Sequence, residues 1–289
     1  MSNNEVSNVI NVRSRSVTLG SAAIALFVLL SGVAVLGGLW KMLAISWVAF
    51  GAMAGAIPLG VRAARTANAT RLVWGYGTAS GAMITSAAVF LLPQAIGFDP
   101  RVGGFGVAAG ILVGFGSHVV GHRLAHVSAT FDDTAVQLTA HALSAGVIIG
   151  LVYGSMPELG LLLGLAIVSH KGPAGYAAAR RLASGDRPAS IILLPATGVG
   201  IAGIPAALLE LPIGPLGQAA VFGFAAGIFL HIAMDFLPQC EVGGEVGEVA
   251  ELSADAHHLL DRLRIHAVVS TSLGGIVVFV LWLIVESGV

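Results

Sequence analysis

Nine apolar runs dominate this chain, near residues 18–38, 43–62, 73–95, 102–121, 134–153, 158–179, 189–209, 214–238 and 265–285. A helix rises about 1.5 Å per residue, so each run crosses, or nearly crosses, the roughly 30 Å of hydrocarbon in a bilayer. Composition agrees: 56% of residues are hydrophobic and only 10% charged, against about a quarter charged in a soluble domain. The 39 glycines suit helices that pack closely through small residues. The expected fold is all-α, a polytopic membrane helical bundle of about nine transmembrane helices, with the lipid bilayer as its surroundings and no separate soluble domain. A net charge of -1 points away from nucleic acid. The one cysteine, Cys240, excludes an internal disulfide and any Cys-based zinc site. The first run is long enough to span and no small-x-small cleavage site follows it, so it is not read as a cleavable signal.

Basic residues orient such a bundle, because positive charge stays on the cytoplasmic side. With the N-terminus inside, 11 of the 14 basic residues fall at cytoplasmic ends: Arg13, Arg15, Arg62, Arg65, Arg71, Arg123, Arg180, Arg181, Arg187, Arg262 and Arg264. Lys41 and Arg101 fall outside, and Lys171 lies within a span. The expectation is a multi-pass protein of the cell membrane, N-terminus cytoplasmic and C-terminus outside, with Cys240 at the cytoplasmic end of the eighth span.

The third span ends "AAVFLLPQ" (87–94) and the eighth ends "IAMDFLPQ" (232–239), running in opposite directions in this topology. That is a candidate inverted repeat, the signature of a secondary transporter with its site near the midplane. Leu-Pro-Gln can also recur by chance where helices stop.

Polar residues inside spans cost about 2.5–3.5 kcal/mol each on insertion scales and usually face a bundle interior or an aqueous path. Here they are His141 and Ser144 in "HALSAG", His170 and Lys171 in "HKGPAG", and His231 with Asp235, four apart on one helix face. His118, His122 and His126 recur every four residues toward the cytoplasm, as an exit path or as interfacial histidines. His257, His258 and His266, among many acids, read as a solvated face. Neutral imidazole is a common ligand for zinc, iron, nickel and copper, although one histidine alone more simply bridges two helices. Pro173, read as mid-span, frees a carbonyl near residue 169 that can line a polar cavity.

At these residues the chain resembles the ZIP (Zrt/Irt-like) family of divalent metal transporters. Its fourth core helix carries His-Asn-x-x-Asp/Glu-Gly, and His141-Ala142-Leu143-Ser144-Ala145-Gly146 is similar. Its fifth carries His-Glu-x-Pro-x-Glu/Gly, and His170-Lys171-Gly172-Pro173-Ala174-Gly175 is similar. "FLLPQ" and "DFLPQ" resemble the Leu-Pro-Glu-like ends of the second and seventh core helices. The resemblance implies eight core helices with inverted repeats in a transport domain at 43–289. An extra transmembrane helix at 18–42 and a cytoplasmic tail at 1–17 precede it.

The family bridges two metals with carboxylates, but Ala142, Ala145 and Ala174 replace the Asn and the acids, and Lys171 replaces another. What carries over is one reduced metal site, His141 and His170, with Lys171, Ser144, His231, Asp235, His118 and His122 as auxiliary or pathway residues. The implied partner is a divalent ion such as zinc, carried as substrate, with no tightly bound cofactor; a homodimer stays open. Lys171 stands where a second cation would sit, with Asp235 as its candidate counter-charge or as one half of a purely structural pair. The alternative is a ZIP-fold protein that has lost metal transport and moves another small solute or acts as a regulator. An enzyme is not expected. The chain lacks the HxxHH clusters of a desaturase-type oxygenase, a G-x-S-x-G elbow and a Walker loop.

Overall fold

The computed structural model describes residues 3–65, 68–127, 133–155, 170–209, 214–238 and 257–286, with the single positions 161, 164, 168, 240 and 246. The described elements are helical: α1 (Asn3–Leu36), α2 (Trp40–Ala64), α3 (Ala69–Ser86), a π turn (Ala87–Leu91), α4 (Leu92–Phe98), α5 (Pro100–Val127) and α6 (Asp133–Ser155). They continue with α7 (Lys171–Ser184), a 3-10 turn (Ala189–Ile192), α8 (Leu193–Ala207), α9 (Pro215–Asp235) and α10 (His257–Glu286). Among the described residues seven helical segments are long and apolar enough to cross a membrane. The fourth expected span is helical, with a shorter apolar stretch at Pro100–Gly116. Much of the sixth, 158–179, lies outside the described residues. The expected tail at 1–17 is helical from Asn3 onward, continuous with the first span.

Local chemistry sets the helix ends. At the end of α1, Gly38 adopts φ 68°, and the Leu39 N–H reaches back to Ala34 O at 2.8 Å. That left-handed closure favours glycine. Asn68 caps α3 by accepting from the Arg71 N–H, and Asp99 caps α5 by accepting from the N–H groups of Arg101 and Val102.

The two Leu-Pro-Gln stretches fold differently. Before Pro93 the helix widens into the π turn, where the Leu92 N–H bonds Ala87 O, and then continues to Phe98. Proline has no N–H for the carbonyl four residues back, and a widened turn accommodates its ring. Before Pro238 the helix stops instead, at Asp235. The shared tripeptide is therefore a bend in one copy and a terminus in the other.

The chain forms two compact units, each from two segments: residues 1–64 with 116–212, and residues 65–115 with 213–289. In the first unit α6 lies against α8 along Gly146, Gly150 and Gly154, where added Cβ atoms would overlap α8 backbone at Val199, Gly203 and Ala207. Gly60 of α2 makes the same close approach to α7 at Tyr176. Phe27 of α1 fills the space above Gly200 and packs with Trp47 and Phe50, ring centroids 4.8 and 5.7 Å away. In the second unit α3 meets α10 through Gly77 and Gly81 against Ser270 and Thr271. There α5 meets α9 through Gly106 and Gly110 against Phe224 and Gly227. Seams of this kind bring backbones close enough for dispersion to hold helices that lipid would otherwise solvate equally well.

Cys240 is buried with Leu72, Val73, Val246 and Leu263. Burial pushes its thiol above the ordinary range, partly opposed by Arg264. His266, read from sequence as solvated, is half-buried and accepts the Trp74 indole N–H at 3.2 Å across the α3–α10 seam. His258 is exposed, as that reading expected.

Gly150→Ala should destabilise the purified protein by about 1–3 kcal/mol, the range for overpacking a tight seam. Gly51→Ala, where an added Cβ meets nothing within 4 Å, should be neutral or slightly stabilising. Thermal melts in one detergent compare the two; equal midpoints would mean that the seam is loose.

Candidate functional site

The site centres on two imidazoles from different helices. His141 sits in α6, and His170 immediately precedes α7; their Nε2 atoms lie 3.2 Å apart with ring centroids at 5.4 Å. One ring donates its N–H to the lone pair of the other. The same separation suits a shared metal: zinc–nitrogen bonds of about 2.0–2.1 Å in tetrahedral geometry place two ligand nitrogens about 3.3 Å apart. His170 is 1% exposed and His141 half-buried. The other ring nitrogen of His141, Nδ1, has no hydrogen-bond partner among the described residues. Metal-bound histidines usually donate from that second nitrogen, so this ligand is held by packing more than by an outer hydrogen bond.

Pro173 lies just after a break in the helical path: Val168 is helical, His170 is a turn and Lys171 is helical again. It occupies the first turn of α7, which starts at Lys171 after a turn at His170, and first-turn N–H groups lack intrahelical acceptors in any case. The carbonyl expected to be freed, at residue 169, lies outside the described residues. His170 thus stands at the start of a helix, with its own carbonyl accepting from the Ala174 N–H at 2.9 Å.

Lys171 is the most buried cation of the described chain at 1% exposure, and its Nζ has no hydrogen-bond partner among the described residues. It lies close enough to His141 to act on it electrostatically. Lys171 belongs to the first unit and Asp235 to the second. Asp235 meets His231, Nε2 to Oδ2 at 3.5 Å along one face of α9. The His231 ring packs on Gly114 of α5, where an added Cβ would overlap it.

The other expected positions divide. Ser144 is exposed and turns its hydroxyl onto Ala140 O of its own helix, at 2.9 Å, away from the histidines. His118 and His122 lie on α5, with their side chains outside the described residues. Ala142, Ala145 and Ala174 are buried at 0%, 4% and 1%, and Ala142 packs directly on Gly198 of α8. Ala142 thus fills the α6–α8 seam, where a larger side chain has no room. No group of three or more His, Cys, Asp or Glu side chains gathers among the described residues. What sequence reasoning did not place is the turn at His170 between helical Val168 and α7, signalled by the His-Lys-Gly-Pro order.

No protein-family model matches the chain, and no curated protein matches it.

A larger polar residue in this closed seam should not be tolerated. Ala142→Asn is expected to cost about 1–3 kcal/mol of stability through overpacking against α8, read as a lower thermal midpoint. An unchanged midpoint would show that room for a polar ligand exists there.

Proposed function

We propose that this chain is a ZIP-type permease, an integral-membrane transporter of divalent metal cations of the zinc, iron and manganese class. One ion is held at a time, by Nε2 of His141 and Nε2 of His170. The observation that supports this is their 3.2 Å approach from separate helices, at the two positions where the motif resemblance put metal ligands. Two neutral imidazoles leave the ion's remaining coordination to water or a co-ligand, as in open metal sites. Loose holding suits transport, which needs binding strong enough to enter and weak enough to leave. The chain crosses the cell membrane with its N-terminus cytoplasmic, its C-terminus outside and its halves in inverted relation.

Lys171 favours a second reading. An ammonium beside the histidines repels an arriving dication, which suits a protein of this fold that moves another small solute or serves as a regulator.

Uptake into proteoliposomes, with zinc, iron(II) and manganese(II) against empty vesicles, separates the two. His141→Ala and His170→Ala should each abolish uptake, while Ser144→Ala and His258→Ala should change it less than twofold. Imidazole coordinates only as the free base, so acidification should slow uptake by proton competition. Lys171→Glu should tighten metal binding. Real uptake that ignores both histidines would sink the one-metal site; no uptake of any ion would leave the second reading.

Orientation needs introduced thiols, since Cys240 is buried and its thiolate suppressed. In a Cys240→Ala background, a membrane-impermeant maleimide should label Arg101→Cys in intact cells. Ser184→Cys should label only after permeabilisation; both native positions are exposed. The opposite pattern would invert the topology.

A further inference from the structure

Among the described residues, Lys171 is the charged group next to His170 along the chain. Lys171 is fully buried, and its Nζ has no hydrogen-bond partner among the described residues. A buried charge without a counter-charge is strongly disfavoured. Lys171 is also the first residue of α7, a helix of 14 residues. The N–H groups of Lys171 and Gly172 have no acceptor four residues back within that helix, and the helix end adds partial positive charge. Among the described residues, Ala52 of α2 lies in ordinary van der Waals reach of a Cβ added at Gly172, at 3.7 Å. The described helices of this unit carry few acids. Helices α2, α7 and α8 contain no Asp or Glu, α1 has only Glu5 near its start, and α6 has only Asp133 at its first residue. Along the chain the nearest acids to Lys171 are Glu158 and Asp186, each more than ten residues away.

We propose that a small monovalent anion, a halide or a carboxylate, binds at Lys171 and the first turn of α7, and is a co-ligand for the metal held by His141 and His170. The metal half of this statement rests on the function proposed above; the anion half does not. One ammonium neutralises one negative charge, which selects a monovalent species. A helix N-terminus supplies donors already aimed at an anion. The bound anion lowers the repulsion between Lys171 and an incoming dication, and occupies part of the coordination that two imidazoles leave open. Anion and metal then favour each other's binding by the same factor.

Equilibrium zinc binding to the purified full-length protein tests this, in sodium isethionate, chloride or acetate at one ionic strength and one free zinc concentration scale. Wild type should bind zinc about tenfold more tightly in chloride or acetate than in isethionate, within the usual range of coupling between two ligands. Lys171→Met and Lys171→Gln should each lose that dependence, and Lys171→Arg should keep part of it. A second measurement needs no metal: chloride should raise the thermal midpoint of the zinc-free wild type and leave that of Lys171→Met or Lys171→Gln unchanged. If zinc fails to bind in every salt, the metal reading falls while this chloride effect still carries the anion site. Three results would overturn the proposal. They are salt-independent midpoints in zinc-free wild type, an anion dependence that survives in both neutral variants, or recovery of the Lys171→Met stability loss by Asp235→Leu, which would make Asp235 the counter-charge.

Discussion

Helices in hydrocarbon gain little from burying leucine against leucine, because lipid solvates leucine as well as a neighbouring helix does. What holds this protein together is the close approach of backbones where side chains are missing. Gly146, Gly150 and Gly154 recur every four residues, on one face of α6, and meet α8 at Val199, Gly203 and Ala207. The second unit repeats the device between α5 and α9 and between α3 and α10. Large apolar side chains such as Leu29, Phe105 and Ile265 are left exposed, where a membrane would cover them.

The site depends on this packing. The seam between α6 and α8 fixes the face of α6 from which His141 projects, and Gly60 and Gly175 draw α2 and α7 together behind His170. Nδ1 of His141 has no hydrogen-bond partner among the described residues, where metal-bound imidazoles commonly donate to a carboxylate. The positions of the two histidines follow from where the helices touch. The same seams explain the alanines: Ala142 packs on Gly198, so a polar side chain there would force the helices apart.

Several features were legible before any fold was known, and others were misread for identifiable reasons. His141 and His170 were paired by motif although 29 residues separate them, and they do meet. Pro173 was read as a mid-span proline that frees a carbonyl near residue 169; it lies in the first turn of α7, directly after a turn at His170 that follows helical Val168. The repeated Leu-Pro-Gln became a π turn followed by more helix at Pro93 and a helix end at Pro238. Proline removes the same N–H in both places, and neighbouring packing decides how the chain answers. His266 was placed in solvent because acids surround it in sequence, yet Trp74, 192 residues earlier, donates to it. A pattern along one helix carries no record of a donor on another.

The sequence by itself determined that this is a helical chain with membrane-spanning character. Apolarity and helix length are local properties, and a bilayer reads them one segment at a time. It also determined which few polar groups a membrane interior would have to accommodate, since each is costly wherever the chain places it. The tertiary structure decided which of those groups meet. It set His141 against His170, turned Ser144 back onto its own helix, gave Asp235 to His231, and left Lys171 at a helix start with no partner among the described residues. Those outcomes depend on helix rotation and contact across long sequence separations. Glycine seams set both, and a seam needs two complementary faces whose pairing no single helix encodes.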